Sequence, residues 1–316
     1  MLFIEKLHLR IEKCKNPVCA GLDPRIGYVP EFLRRNESET NAILRYNRML
    51  IDALMDCVPL VKLQMACYEC YGTEGMELFI KTAEYAAEKG LVVIADGKRN
   101  DIGSTAEEYA RAYLGSGSNP LDALTVNPYL GEDGILPFVE SCRINGKGIF
   151  VLVRTSNPSS SQLQELVLAN GRMVYEKVAE LVENWANLPG MRREDKGYSC
   201  VGAVVGATWP EQAMKLRQIM PSALFLVPGY GSQGGTADGA AACFDNQGRG
   251  AVVNASRSIL CAWQSPKWKA KYSPDQFDEA ARAEALSMAA DLRGAIDARS
   301  HEIKWKGVRH EGSPDA

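Results

Sequence analysis

Eight short runs of aliphatic and β-branched residues recur along this 316-residue chain, spaced so that one helix fits between each pair. They are Val18–Leu22, Leu60–Leu63, Leu91–Ala95, Ala123–Val126, Gly148–Val153, Val201–Gly206, Leu224–Val227 and Ala251–Val253. Nearly unbroken hydrophobicity over so short a run suits a strand buried on both faces, as in a parallel sheet covered by helices. The spacers read as helices. Glu39–Cys57 is one, and Glu74–Lys89 is a second that ends at the C-cap glycine Gly90. Thr105–Leu114 opens on the capping box Thr105-x-x-Glu108, and Asp275–Ala298 follows Ser273 as N-cap and Pro274 as N1. Eight β-then-α units predict a (β/α)8 TIM barrel, with residues 1–316 as a single domain. A doubly wound sheet gives the same alternation, and periodicity alone leaves that alternative open. The connection 155–199 is longer than one helix requires. It starts on the polar stretch Ser156-Asn157-Pro158-Ser159-Ser160-Ser161, and it reads as an inserted lid loop, a surface helix Gln162–Trp185, or both.

Composition narrows the chemistry by exclusion. The formal net charge is −3, so no general nucleic-acid or membrane-surface partner is expected. A phosphorylated small molecule needs only one local cationic site. Met1 to Lys15 is charged throughout and lacks the apolar core of a signal peptide, and no run is long enough to cross a bilayer. A cytoplasmic location is expected. The nine cysteines are scattered and odd in number, which fits reduced thiols. Cys67-Tyr68-Glu69-Cys70 is a lone C-x-x-C with no second pair nearby, and it reads as two thiols on a turn or helix. The three histidines, His8, His301 and His310, all lie near the chain ends. Ser-His-Asp, Cys-His and His-rich metal sites are therefore not expected. The chemistry falls to Lys, Asp, Glu, Arg and backbone.

Polar residues cluster just after the predicted strands, the end at which barrel active sites lie. Asp23 follows the first, Lys62 is inside the second, Asp96 and Lys98 end the third, and Asn127 ends the fourth. Ser156 follows the fifth, Pro228 and Gln233 the seventh, and Arg257 the eighth. Asp96 and Lys98 are two apart on a strand and so share a side, with Lys62 on the neighbouring strand. Two lysines and an aspartate buried together require alternating charge and full hydrogen bonding. Adjacent carboxylates favour the charged ammonium, a general acid or electrostatic catalyst rather than a Schiff-base nucleophile. A structural ion-pair network at the barrel rim fits the charge spacing equally well. The glycine-rich Pro228-Gly229-Tyr230-Gly231-Ser232-Gln233-Gly234-Gly235 and the segment Asn254-Ala255-Ser256-Arg257-Ser258 follow strands seven and eight, where barrels commonly hold a phosphate.

These residues resemble a known family. Asp96-Gly97-Lys98-Arg99-Asn100-Asp101-Ile102-Gly103-Ser104-Thr105 is similar to the D-x-K-x-x-D-I-G-x-T signature of orotidine 5′-phosphate decarboxylases. Gly21-Leu22-Asp23-Pro24, Val61-Lys62, the strand-seven Pro-Gly…Gln segment and the strand-eight Arg fall in family order. Asn127-Pro128-Tyr129-Leu130-Gly131 and Val253-Asn254-Ala255-Ser256-Arg257 resemble the longer bacterial branch, where the short branch has Val-Gly-Arg at the last site. The resemblance implies decarboxylation of orotidine 5′-monophosphate (OMP) without metal or organic cofactor. It implies that Lys98 protonates C6, Asp96 faces the substrate carboxylate, and Lys62 holds Asp96 and contacts ribose. Asp23 and Thr105 would bind ribose hydroxyls, Ser156 the pyrimidine edge, and Gln233 and Arg257 the phosphate, with Asn127 and Pro228 completing the substrate site. Asp101 would enter the active site of a partner subunit, making a homodimer. The rival readings are a magnesium-dependent sugar-phosphate aldolase or decarboxylase on the same D-x-K-x-x-D core, and a non-catalytic barrel that keeps the phosphate site.

Overall fold

The computed structural model describes residues 1–117, 119–192, 197–231 and 234–310, with side chains through residue 300. The eight predicted strands all form: β1 Val18–Leu22, β2 Leu60–Gln64, β3 Val92–Arg99, β4 Ala123–Val126, β5 Gly148–Arg154, β6 Ser199–Val205, β7 Ala223–Val227 and β8 Ala251–Ala255. Each pairs in parallel with its sequence neighbour, and β8 returns to β1 through Val18↔Val253 and Cys19↔Asn254. Closure of the sheet rules out the doubly wound alternative. It also removes both free strand edges.

Strand periodicity sorts the side chains into two cores. Cys19, Leu60, Val92, Ile94, Phe150 and Leu224 point inward and pack on one another. Phe3, Ile4 and Leu7 of the helix Phe3–Cys14 join them under the strand starts. Phe3 meets Phe150 edge-to-face at 5.8 Å, and a Cβ at Gly148 would strike the Phe3 ring at 2.3 Å. The opposite parity, such as Val61, Leu63, Val93 and Leu124, packs outward against the helices. The bottom of the barrel is thus closed with hydrocarbon, and only the mouth can admit a polar ligand.

Three local expectations are corrected. The helix after β3 runs Gly103–Leu114 with Ile102 at the N-cap and no side-chain cap, so the Thr105 capping box does not form. Asp101 Oδ1 accepts the Ile102 N–H at 2.8 Å, starting the turn early and leaving Thr105 inside it. The expected helix Gln162–Trp185 is broken into Ser161–Gln164 and Val174–Ala186. Between them Val167 and Met173 form an antiparallel bridge around the Asn170-Gly171 turn, where Gly171 has φ +80°. Apolar residues here follow turn chemistry rather than helical period. The final helix starts as expected: Ser273 and Gln276 form a capping box over the 3-10 turn Pro274–Gln276. It continues as Phe277–His310, well past Ala298. Among the described residues no helix is long and apolar enough to cross a membrane.

Candidate active site

The inward parity that fills the barrel with Leu60, Ile94 and Ala123 places polar side chains one step higher, at the C-terminal mouth. They are Lys62, Asp96, Thr125 and, on β8, Asn254, while β5, β6 and β7 present Leu152, Val204 and Leu226. A cavity of about 1010 Å³ therefore has one charged flank and one apolar flank. Asp23, Lys98, Ser156, Pro228 and Arg257 line it too.

Asp96 is the centre of the charged flank. Its Oδ2 lies 2.9 Å from Lys62 Nζ and its Oδ1 lies 2.6 Å from Lys98 Nζ. Oδ1 also accepts the Thr125 hydroxyl at 2.9 Å. Lys62 Nζ reaches Asp23 Oδ1 at 3.4 Å. The order Lys98–Asp96–Lys62–Asp23 alternates in sign, which is what allows Lys62 to be only 3% exposed. Burial by itself would raise the Asp96 carboxyl, but the two ammonium groups and their hydrogen bonds outweigh it and hold the group well below the usual carboxylate range. Burial by itself would lower Lys62, but Asp23 and Asp96 outweigh it and push the ammonium above its ordinary value. Both groups stay charged across the physiological range. Lys98 differs from Lys62 in being reachable: its side chain is 45% exposed into the cavity mouth.

Lys98 does not arrive there by simple strand alternation. The β3–β4 register shifts between Ala95 and Arg99, and Lys98 has φ +49°, left-handed for a non-glycine residue. The Lys98 N–H is donated to Thr125 Oγ1 at 2.9 Å. One threonine thus bridges the backbone of the lysine and the carboxylate that faces it. A Cβ on the intervening Gly97 would sit 2.8 Å from Met65 Sδ, so a larger residue there would have to displace that flexible side chain.

At the far side of the cavity the turn after β7 is built from glycine. Gly229 and Gly231 have φ +97° and +70°, and a Cβ on Gly235 would meet the Gly229 carbonyl oxygen at 2.5 Å. Only glycine permits so tight a turn beside the exposed Arg257, and the two form a cationic, backbone-lined end suited to an anion. Gln233 lies outside the described residues.

Three predicted residues stand apart from this cluster. Asp101, Thr105 and Asn127 do not line the cavity. Asn127 Oδ1 accepts the Tyr129 N–H at 3.0 Å, forming a turn just past β4. Sequence reasoning passed over Thr125, which lines the cavity from β4, and put Asn254 in the segment after the last strand, whereas it lines the cavity from within β8. Their signal was a polar residue at the inward parity of an otherwise apolar run. Cys67, on the short helix Ala66–Glu69 after β2, and Cys70, its C-cap residue, are free thiols, and burial pushes Cys67 up to about 11.

This geometry has known counterparts. The profile of the "Orotidine 5'-phosphate decarboxylase / HUMPS family" matches residues 16–271. The chain belongs to this family. An orotidine 5′-phosphate decarboxylase of Rhodopirellula baltica is 44% identical over 305 residues, covering 93% of this chain and all of that protein. One from Clostridium perfringens is 40% identical over 297 residues, covering 93% of this chain and 99% of the relative. The OMP decarboxylase structure of Leishmania donovani superposes with a TM-score of 0.73 at 27% identity, covering 94% of this chain and 99% of that one. The alternating ion chain stands at the mouth of a barrel of this family, and two of its members, Asp96 and Lys98, lie in the stretch that resembles the D-x-K-x-x-D signature.

Proposed function

We propose that this protein converts OMP to uridine 5′-monophosphate and carbon dioxide, a step of pyrimidine biosynthesis, within one barrel domain and without metal or organic cofactor. The observation that carries the reading is the Lys98–Asp96–Lys62 array, with a reachable ammonium held 2.6 Å from a carboxylate that its neighbours keep ionised across the physiological range. The C6–carboxylate bond breaks and carbon dioxide leaves, with the electron pair staying on C6. Lys98 Nζ supplies a proton to that carbon, and the resulting amine is recharged from solvent. A cation already in place avoids reorganisation as the carbanion forms. Asp96 faces the substrate carboxylate, a repulsion that ends when carbon dioxide departs. Lys62 holds Asp96 and, with Asp23, meets the ribose. Ser156 and Pro228 belong to the substrate site, and Arg257 with Gln233 holds the phosphate; Asn127, outside the cavity and bonded to the Tyr129 N–H, is left to the turn after β4. Binding energy from the remote phosphate lowers the barrier at C6. Both Asp96 oxygens are engaged by ammonium groups, which disfavours the magnesium-dependent alternative because a divalent ion would have to displace them.

Asp101 and Thr105 are assigned to a site shared with a second copy. Both lie outside their own cavity, beside an apolar patch in which Ile102 is 55%, Tyr129 75% and Leu130 45% exposed. That patch supports a homodimer that carries Asp101 across. The unpaired cysteines support a cytoplasmic location. The test follows OMP absorbance with purified protein. Turnover that persists in chelator and vanishes in Lys98→Ala is expected; magnesium-dependent turnover of a sugar phosphate instead would sink the reading.

A further inference from the structure

Arg154, at the end of β5, is a fully buried cation that does not line the cavity and has no part in the chemistry above. Its guanidinium is nonetheless engaged on every nitrogen. Nε donates to Gln212 Oε1, and Nη2 pairs with Glu165. Nη1 donates to Ser160 Oγ and, at 3.2 Å, to Gln164 Oε1. The group also lies 4.4 Å from the Trp209 ring centroid. These partners come from the loop after β5 and the segment after β6, and the Tyr175 ring, on the helix Val174–Ala186, lies 5.9 Å from the guanidinium.

The bonds continue toward the substrate. Gln164 Oε1 also accepts the Thr155 N–H at 3.0 Å, and Gln164 Nε2 donates to Thr155 Oγ1 at 2.7 Å. Thr155 Oγ1 bonds Asn157 Oδ1 at 2.7 Å, and Trp209 Nε1 donates to the Thr155 carbonyl at 3.1 Å. Thr155, Ser156, Asn157, Pro158 and Gln164 all line the cavity. The apolar flank therefore meets a loop whose polar face is held from behind by one arginine.

We propose that Arg154 is a positioning residue. It sets the β5 loop against the β6 segment before substrate arrives, so that Ser156 and its neighbours need not be ordered at the moment of binding. Burying a charge is costly, and a hydrophobic residue would fill the site more simply if packing were its whole purpose. The planar fork is what lets a single side chain fix four polar partners at once, and lysine cannot reproduce it. A preorganised loop cuts the ordering cost of binding. Its loss therefore appears in KM, while saturating substrate still closes the loop and preserves kcat.

The inference rests on the decarboxylase reading, and turnover of OMP by the parent protein tests that reading separately. Steady-state OMP kinetics would be measured for the parent, Arg154→Lys, Arg154→Met, Gln212→Met and the Arg154→Met/Gln212→Met double variant. Gln212 is outside the cavity, and its substitution removes one Arg154 bond without leaving the cation alone. The expected result is KM raised about tenfold in both Arg154 variants and about threefold in Gln212→Met, with kcat within about threefold of the parent. The double variant should be no worse than Arg154→Met, since the two residues act as one unit. A merely structural role would lower kcat in proportion to the folded fraction and leave KM alone, and that result overturns the proposal. If the Arg154 variants do not fold, a parental KM in Gln212→Met overturns it. A parent that does not turn over OMP removes the decarboxylase reading, and this inference with it.

Discussion

Replacing Thr125 by Val tests how the site is held together without touching any charged group. Thr125 is 1% exposed, and Val nearly matches its shape. Two bonds are lost: the hydroxyl donated to Asp96 at 2.9 Å and the Lys98 N–H accepted at 2.9 Å. A hydrogen bond to a charged group contributes roughly 1.5–3 kcal/mol, and leaving an amide unpaired in a part-buried position costs about 1–3 kcal/mol. Asp96 keeps both lysine partners, which offsets part of the first term. A net destabilisation of about 2–4 kcal/mol follows, read from the urea midpoint at constant slope. Activity should fall as well, because the Thr125 bond steadies Lys98 in its left-handed conformation. If about half of the lost free energy is felt at the transition state, kcat/KM falls roughly five- to thirtyfold. The fall should sit in kcat, since Thr125 holds the proton donor rather than the phosphate. The assay is OMP absorbance at saturating and limiting substrate, on protein shown by circular dichroism to be folded. Parental stability together with parental kcat would refute the claim that this threonine organises the site.

Other outcomes follow from the same geometry. Lys98→Ala should keep the fold, because its side chain is 45% exposed, and lose turnover by more than about a thousandfold in the absorbance assay. Arg257→Ala should raise KM about ten- to hundredfold, the loss of one charge-assisted phosphate contact, with parental thermal stability. Mixing inactive Lys98→Ala and Asp101→Ala proteins should restore turnover by forming one complete site per mixed dimer; no recovery despite proven subunit exchange would remove Asp101 from the shared site. The Asp96 carboxyl is depressed in the folded protein, so its stabilising contribution is complete above about pH 4, the unfolded value, and is lost as pH falls through the folded value. The urea midpoint of Asp96→Asn should accordingly start lower at pH 7 and decline less steeply below pH 4 than the parent's. Parallel declines would show that the ion chain does not govern the acid limb.

Much of this protein was determined along the chain. Strands Val18–Leu22 and Ala123–Val126 form at the predicted residues, and the other six within a few positions, because apolar runs between helical spacers have one good burial in a covered parallel sheet. Lys62, Asp96 and Lys98 were legible because charged residues inside such runs must be paired to be buried at all. The sequence also bore the family signature Asp96 to Thr105, and the matching profile agrees with it. What it could not carry was anything that depends on partners distant in the chain. The doubly wound alternative fell only when β8 paired with β1, a contact between segments over 200 residues apart. Gln162–Trp185 looked like one helix until the Asn170-Gly171 turn and the Val167–Met173 bridge divided it. Thr125 and Arg154 carry no motif. Each matters because the fold brings Asp96 and Lys98 to one hydroxyl, and brings Ser160, Gln164, Glu165 and Gln212 to one guanidinium. Local pattern decides which residues must be buried; only closure of the barrel decides what a buried polar group finds opposite it, and there hydrogen-bond geometry acts.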